Sequence, residues 1–231
     1  MLLITKKLLE KYLQHDPISS LMNQLSRDED EGLTCQRWLR DSPPKRLLFE
    51  LLYDGLLEFD NPRQRVLDVG GGITCFTREL SKRHEYDLVD ILAHDDHQLC
   101  KHLETDSGRE FIHPLDWLNF EGYDYDLIVA NDIFPNVDQR LEMFLHKFLP
   151  RCRTMRLSLT WYEEPRAYQV RRVDGEEIFF MLAWDLGQLM KVLNRHSDRI
   201  LDFDGDRFKN TQRSLYQNGR QVGFVRLRGD A

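Results

Sequence analysis

The stretch "RVLDVGGGITCF", residues 65–76, joins a short apolar run, an aspartate and three consecutive glycines. Consecutive glycines cost conformational entropy, so the backbone there needs positive φ angles or a close approach by another group. The run "RVLDV" predicts a buried strand, and "TCFTRELSKRH" (74–84) predicts a helix. The glycines therefore stand at a strand-to-helix turn, and the question is what approaches them.

Short apolar runs continue to alternate with helical patterns after this turn. Because strands that alternate with helices build right-handed βαβ units, the chain predicts an α/β fold. We expect a doubly wound, mostly parallel seven-stranded sheet with helices on both faces. The next four strands are predicted over 86–91, 110–117, 125–132 and 154–161, and the helices between them over 94–104 and 136–151.

Residues 1–60 predict a helical N-terminal extension, with helical spacing over 2–13, from Pro17 to Leu25, and over 34–43 and 44–59. Such a segment can cover a bound cofactor as a lid, pack on the domain or support a homodimer. Residues 61–231 predict a single Rossmann-like domain. Asp174-Gly175 between β-rich flanks predicts a hairpin insertion over about 166–182, and Asn218-Gly219 is a second turn candidate.

Composition narrows the class of protein. The 231 residues carry a net charge of −7 without a cluster of lysines or arginines, which disfavours nucleic acid as a partner. No apolar run is long enough to span a membrane, and the N-terminus is too charged for a signal peptide. The four cysteines form no CxxC pair, which disfavours a zinc ribbon or a disulfide framework and favours a reducing, cytoplasmic location. They are Cys35, Cys75, Cys100 and Cys152.

The glycine-rich turn has two possible relatives. Nicotinamide and flavin enzymes favour G-x-G-x-x-G/A, whereas here Cys75 takes the last position and Asp68 would repel a pyrophosphate. The stretch "VLDVGGG" instead resembles the D-x-G-x-G first motif of class I S-adenosylmethionine-dependent methyltransferases, matched by Asp68, Gly70 and Gly72. This resemblance covers about residues 60–160.

The resemblance implies a cofactor site for S-adenosyl-L-methionine, which becomes S-adenosyl-L-homocysteine after transfer. The glycine loop would hold the methionine and ribose part of the cofactor. The end of the second strand would bind the ribose hydroxyls, and the end of the third strand would contact the adenine. The end of the fourth strand would border the transferred methyl group. The residues implied are Asp68, Gly70, Gly71, Gly72, Asp90, Ile91, Asp116, Trp117 and Asn131.

The three aspartates among these residues could instead have purely structural roles. Asp68 can bond to the backbone of the glycine loop, Asp90 can stabilise a turn or cap a helix, and Asp116 can cap a short helix.

Methyl transfer is an in-line displacement from an activated sulfonium, so the protein mainly aligns the reactants and excludes water. A base is needed only where the acceptor must lose a proton, as a hydroxyl must. The unranked base candidates are Asp132, His113, His146 and Glu163, and an acceptor wall is expected at Phe134, Trp161, Tyr162, Arg166, Tyr168 and Trp184.

The sequence departs from the motifs of two branches of this family, which limits the class of acceptor molecule. The fourth strand ends "ANDIFPNV" (130–137) rather than N-P-P-Y, which disfavours the branch that methylates amino groups of DNA and glutamine. The fifth strand ends "TWYEEP" without the Asp-Asn pair of the metal-dependent branch. The histidines and aspartates of "AHDDHQLCKH" (93–102) more often cap a helix than bind a metal.

The predicted function is thus S-adenosylmethionine-dependent O-methylation of a small molecule such as a sugar or secondary metabolite. The alternatives are a catalytically silent binding subunit and, less favoured, an N-methyltransferase or a nucleotide-dependent oxidoreductase.

Overall fold

The computed structural model describes residues 1–25, 33–92, 97–171, 178–201, 215–216 and 218–231. Its helices are α1 (Lys6–Leu13), α2 (Pro17–Leu25), α3 (Thr34–Asp41), α4 (Pro43–Tyr53), α5 (Cys75–Arg83), α6 (His97–Ser107), α7 (Leu141–Phe148) and α8 (Leu186–Leu193). Its strands are β1 (Leu2–Leu3), β2 (Arg65–Val69), β3 (Glu85–Val89), β4 (Ile112–His113), β5 (Tyr125–Phe134), β6 (Cys152–Trp161), β7 (Arg166–Arg171), β8 (Ile178–Ala183), β9 (Ile200–Leu201) and β10 (Gln221–Arg228).

The main sheet has the order β1-β10-β6-β5-β2-β3-β4, with β9 also paired to β10. Strands β4, β3, β2, β5 and β6 are parallel, and β10 is antiparallel to β6. The prediction of a doubly wound, mostly parallel sheet is confirmed. β1 is an additional two-residue strand.

The prediction of a helix from residue 2 is wrong in its first residues. Leu2 and Leu3 pair with Phe224 and Gly223 of β10, and α1 begins only at Lys6. The Thr5 hydroxyl accepts a hydrogen bond from the Leu8 amide and so caps the helix at this point. Leu2 and Leu3 therefore form a strand at the edge of β10 although their sequence pattern is helical.

Side chains of the central strands alternate between two hydrophobic cores. Val66 of β2 faces the core shared with α4 and α5, whereas Leu67 and Val69 face the core shared with α7 and α8. Asp68 therefore lies on the α4 and α5 face. Because helices cover both faces, most residues of the central strands are buried, and the exposed residues of β2 and β3 are the first of each strand, Arg65 and Glu85.

The N-terminal helices share the first of these cores. Phe49 and Leu52 of α4 and Leu39 of α3 are buried in one cluster with Val66 of β2 and Phe76 of α5. The helical segment is thus packed directly on the sheet.

The predicted hairpin insertion is present as β7 and β8, which form a separate two-stranded antiparallel sheet. Tyr168 lies opposite Met181 in its register. The Asp174-Gly175 turn lies outside the described residues. At the other predicted turn Gly219 has a φ of +79°, and its amide donates to the carbonyl of Tyr216, just ahead of β10.

Candidate active site

Polar residues gather at the carboxyl ends of the parallel strands. The chain leaves β2 toward β3 and β4 on one side, and β5 and β6 lie on the other side. The order of strands therefore reverses between β2 and β5, which is where doubly wound sheets bind ligands. Val69 pairs with Ala130 at this point, so the glycine loop and Asn131 follow directly on either side.

The glycine loop is tightly packed against the protein itself. Gly70 and Gly72 have φ angles of +69° and +66°, which favour glycine. A Cβ atom at residues 70, 71 and 72 would lie 2.2 Å from Ile133 Cδ1, 2.4 Å from Asp68 Oδ1 and 2.2 Å from Cys35 Sγ, respectively. Protein side chains thus approach all three glycines, which answers part of the question that the sequence raises.

Asp68 lies beneath this loop and is almost completely buried. Its Oδ2 accepts hydrogen bonds from the hydroxyls of Tyr53 (2.7 Å) and Tyr86 (2.8 Å). Its Oδ1 lies beside Gly71, and no described residue gives it a hydrogen bond of ordinary geometry. Burial raises the pKa of Asp68 to about 7, although the two tyrosine hydroxyls act in the opposite direction.

Asp90 ties the loop to the end of β3. Its Oδ2 accepts from the Gly72 amide (3.1 Å) and its Oδ1 from the Leu92 amide (2.9 Å). Leu92 has a φ of +47°, an uncommon conformation for a branched apolar residue. Ile91, between them, is 56% exposed. The turn-stabilising alternative for Asp90 is thus present, with an exposed apolar side chain next to it.

Asp116 and Trp117 are held by neighbouring charged residues. Asp116 caps the 3₁₀ helix Trp117–Asn119 through the Leu118 amide (2.8 Å) and accepts from Arg140 Nη2 (2.7 Å). Burial raises the pKa of Asp116, but the hydrogen bonds from Arg140 and the Leu118 amide, together with the charge of Arg140, outweigh this effect and lower the pKa below its ordinary value. The buried Trp117 indole donates to Asp138 (2.7 Å). The capping alternative for Asp116 is therefore present.

Asn131 and Asp132 lie at a bulge where the β5–β6 register shifts between Ala130 and Phe134. Asp132 has a φ of +60°, and its amide donates to the Ser158 hydroxyl (2.6 Å). Non-glycine residues in this conformation are concentrated at functional sites. The bulge directs the Asp132 carboxylate toward β6.

An arginine that the sequence analysis missed binds this carboxylate. Asp132 Oδ1 accepts hydrogen bonds from Arg220 and from the Thr160 hydroxyl (3.3 Å). The Arg220 guanidinium also lies 5.1 Å from the centre of the Tyr216 ring. Arg220 stands 88 residues after Asp132, so no local pattern connects the two.

Three residues of the predicted acceptor wall come together beside this ion pair. The hydroxyls of Tyr162 and Tyr168 are 2.9 Å apart. The Arg166 guanidinium lies 5.0 Å and 5.5 Å from the centres of their rings. Arg220 is close enough to Tyr162 and Tyr168 to interact electrostatically with both, so the ion pair and the two tyrosines belong to one cluster. We call Asp132, Thr160, Tyr162, Arg166, Tyr168 and Arg220 the acceptor cluster.

The other members of the predicted wall lie elsewhere. Phe134 is completely buried among aromatic rings, with Phe144 at 4.7 Å and Trp117 at 5.9 Å. Trp161 is also buried, and Trp184 packs against the same core. These positions correct the assignment of Phe134 and Trp161 to a pocket wall, since core packing occupies both side chains.

The remaining base candidates are not joined to the acceptor cluster by any described contact. His113 contacts Asp87 (3.5 Å) and the Phe120 ring (4.8 Å). His146 is in the last turn of α7, which returns the chain to the amino end of β6, so it lies toward the opposite edge of the sheet. Glu163 is exposed in the bend after β6.

A cavity of about 620 Å³ lies between α2 and α4, on the helical layer rather than at the carboxyl edge. Its lining includes Glu50, Tyr53, Glu58 and Phe76. Tyr53 thus borders this cavity with its ring and contacts Asp68 with its hydroxyl.

Within the described ranges, no three His, Cys, Asp or Glu side chains are grouped so that they could hold a metal ion. Of the sequence candidates, His94, Asp95 and Asp96 lie outside these ranges. The four cysteines, all within the described residues, form no disulfide bond with one another. No helix in the described part of the chain is long and apolar enough to cross a membrane.

No known protein family matches the sequence, and no curated protein matches it. Among solved structures, the chain is similar to Burkholderia thailandensis 1,6-didemethyltoxoflavin-N1-methyltransferase with bound S-adenosylhomocysteine (15% identity, 96% of this chain and 89% of that chain, TM-score 0.49). It is also similar to the N-methyltransferase NodS from Bradyrhizobium japonicum in complex with S-adenosylhomocysteine (12%, 92% and 97%, TM-score 0.49). A third similar structure is a DhpI–S-adenosylhomocysteine complex (16%, 99% and 100%, TM-score 0.49). The function is therefore argued from the site itself.

Proposed function

We propose that this protein is an S-adenosylmethionine-dependent methyltransferase that acts on a hydroxyl of a small molecule. The observation that carries the proposal is the glycine loop at the strand-order reversal, with Asp68 beneath it and Asp90 at the end of the next strand. This combination follows the D-x-G-x-G resemblance and fits the edge of the sheet where such folds bind ligands.

The residues present are compatible with the cofactor. Oδ1 of the buried Asp68 accepts no hydrogen bond of ordinary geometry from the described residues, and the negative charge of this carboxylate under the loop favours a cationic ligand on the loop. Asp90 and the exposed Ile91 stand where a ribose and an adenine would be held, with two backbone amides fixing the Asp90 carboxylate. Gly70 and Gly72 bring the loop backbone close to this position. Asp116, Trp117 and Asn131 remain predicted contacts.

When bound, S-adenosylmethionine supplies a methyl group activated by its sulfonium. The protein then has to hold the acceptor oxygen in line and keep water out. Tyr162 and Tyr168 supply an aromatic wall and hydroxyl groups for this purpose. Asp132 orients the acceptor hydroxyl and accepts its proton, while Arg220 and Thr160 fix the carboxylate in place.

A methyl-transfer assay with paired acceptors tests this proposal. The purified protein is given isotope-labelled S-adenosylmethionine and small molecules that differ only in carrying a hydroxyl or an amine. We expect label on hydroxyl compounds. Transfer to amines alone would contradict the hydroxyl assignment, and binding of the cofactor without transfer to any acceptor would support a silent binding subunit. We expect a reducing, cytoplasmic location for such an enzyme, since its four cysteines form no disulfide bond with one another.

A further inference from the structure

Helices α3 and α4 contact the end of β2, the glycine loop and the start of α5 at one point each. The Tyr53 hydroxyl of α4 donates to Asp68 (2.7 Å). The Gln36 side chain of α3 accepts from the Cys75 amide (2.9 Å), in the first turn of α5. The Cys35 thiol lies against Gly72, where a Cβ would come within 2.2 Å of it. All three contacts are made by side chains from the predicted N-terminal extension.

We propose that Tyr53 is a positioning residue for cofactor binding, and that α3 and α4 form a fixed wall of the cofactor site rather than a lid. This inference rests on the proposed function, because it names a residue that sets the geometry of the same site without touching the cofactor.

A carboxylate loses its hydration when it is buried, which costs free energy unless hydrogen bonds replace the water. It therefore needs donors, and the two side-chain hydroxyls that donate to Asp68, from Tyr53 and Tyr86, both end on Oδ2. Tyr86 belongs to β3 of the central sheet, so it holds the Asp68 carboxylate from the side of the sheet. Tyr53 belongs to α4 and holds the same carboxylate from the side of the helices. The rotamer of Asp68 therefore depends on where α4 lies.

Asp68 in turn supports the loop from below. A side chain at position 71 would collide with both carboxylate oxygens, at 2.4 Å and 2.6 Å, so the Gly71 backbone rests on this carboxylate. The loop is held from above by the Gly72 amide, which donates to Asp90, and at its start by the Gly70 amide, which donates to Val89 (2.9 Å). A change at Tyr53 would thus reach the loop through Asp68.

Contacts elsewhere in the segment make opening costly. Gln36 is completely buried, so moving α3 away would leave the Cys75 amide without this acceptor. The side chains of Leu39, Phe49 and Leu52 would lose their core at the same time. A lid that opens in each catalytic cycle is usually drawn from weakly packed elements.

The titratable groups that face Asp68 are Tyr53 of α4, Tyr86 of β3 and Asp90 after β3, while Cys35 of α3 faces Tyr53. The hydroxyl of Tyr53 lowers the pKa of Asp68, because it donates to the charged form. Loss of this hydroxyl therefore raises the pKa of Asp68 further. A residue that only packs would not have this effect.

Tyr53→Phe tests the inference, with Tyr12→Phe as the matched control. Tyr12 is also a buried tyrosine of the N-terminal helices, and its hydroxyl donates to the carboxylate of Asp16. The affinity of each protein for S-adenosylhomocysteine is measured by calorimetry from pH 6 to pH 9.

We expect Tyr53→Phe to bind S-adenosylhomocysteine about tenfold more weakly at pH 7, which corresponds to the net value of one hydrogen bond to a charged group. We also expect the pH at which affinity is half-maximal to move upward, since the ionised Asp68 favours the ammonium group of this ligand. Tyr12→Phe should keep the wild-type affinity and midpoint even if it unfolds more easily. Equal affinities and midpoints in all three proteins would overturn the inference.

Amide hydrogen exchange separates this inference from the proposed function. It is measured at Gly70 and Gly72 in the protein without ligand. Faster exchange in Tyr53→Phe than in Tyr12→Phe would support the positioning role even if the wild-type protein failed to bind S-adenosylhomocysteine, a failure that would count against the proposed function alone. Unchanged exchange at both glycines would overturn the positioning role.

Discussion

The substitution Asp68→Asn tests how much the burial of an ionisable carboxylate costs the folded protein. The carboxamide removes the ionisable group but keeps an oxygen that can accept from Tyr53 and Tyr86. Burial raises the pKa of Asp68 in the folded protein to about 7 from an ordinary value of 3.8. This difference corresponds to about 4 kcal/mol of unfolding free energy.

The sign follows from proton binding. The folded protein holds the Asp68 proton more tightly than the unfolded chain, so this stabilisation is fully present below about pH 4 and is lost as the pH rises through about 7. Groups whose pKa is lowered in the fold, such as Asp16 and Asp116, titrate the same way in both proteins and cancel in the comparison.

Urea unfolding of the wild type and Asp68→Asn, followed by circular dichroism from pH 4.5 to pH 8.5, measures this difference. We expect the variant to gain stability relative to the wild type as the pH rises, by about 3 kcal/mol over this range, since about 1 kcal/mol of the full difference is already lost at pH 4.5. A difference that stays constant with pH would refute the reasoning, because it would mean that the tyrosine hydroxyls fully offset the cost of burial. A gain for the wild type with rising pH would refute it more strongly.

Three further predictions concern the loop and the acceptor cluster. Arg220→Met should release Asp132, lower kcat for an identified acceptor by about tenfold or more and leave the affinity for S-adenosylhomocysteine unchanged, as steady-state kinetics and calorimetry would show. Asp90→Ala should weaken S-adenosylhomocysteine binding by about 2–4 kcal/mol, and a folded variant with unchanged affinity would exclude the ribose assignment. Gly72→Ala should lower the melting temperature more than Gly108→Ala, because both glycines have positive φ angles (+66° and +71°) but only the first lacks room for a Cβ; equal losses would mean that backbone strain alone acts.

The strand-to-helix turn and the order of the elements could be predicted because each depends on a local pattern. The glycine run, the apolar β2 strand and the helix after it are all contained in residues 65–84. The pairing of Leu2 with Phe224 could not be predicted, since a two-residue edge strand has no periodicity of its own and depends on a partner at the other end of the chain.

The burial of Asp68 had a signal in the sequence. Val66 and Asp68 share one face of β2, and parallel strands are covered on both faces, so alternation alone directs the carboxylate under a helix. The sequence did not indicate which residues donate to Asp68, because Tyr53 lies in α4 and Tyr86 in β3, both remote from Asp68 in the chain. These contacts form only when the helices pack on the sheet.

The acceptor side was harder to predict for the same reason. A bulge in β5 turns Asp132 toward β6 and sends Phe134 into the core, whereas regular alternation would have kept both on one face. Arg220 reaches Asp132 from the start of β10, across the sheet. Tyr162, Arg166 and Tyr168 were predicted because they follow one another after a strand end.

Calorimetric titration of the wild-type protein with S-adenosylhomocysteine, with NAD as a control ligand, decides whether the glycine loop belongs to a methyltransferase cofactor site. We expect saturable one-site binding of S-adenosylhomocysteine and none of NAD. At about 100 times the dissociation constant, bound ligand should add about 2.7 kcal/mol to the free energy of unfolding. Binding of NAD instead, or of neither ligand by a folded protein, would contradict the claim that the glycine loop, Asp68 and Asp90 form a methyltransferase cofactor site.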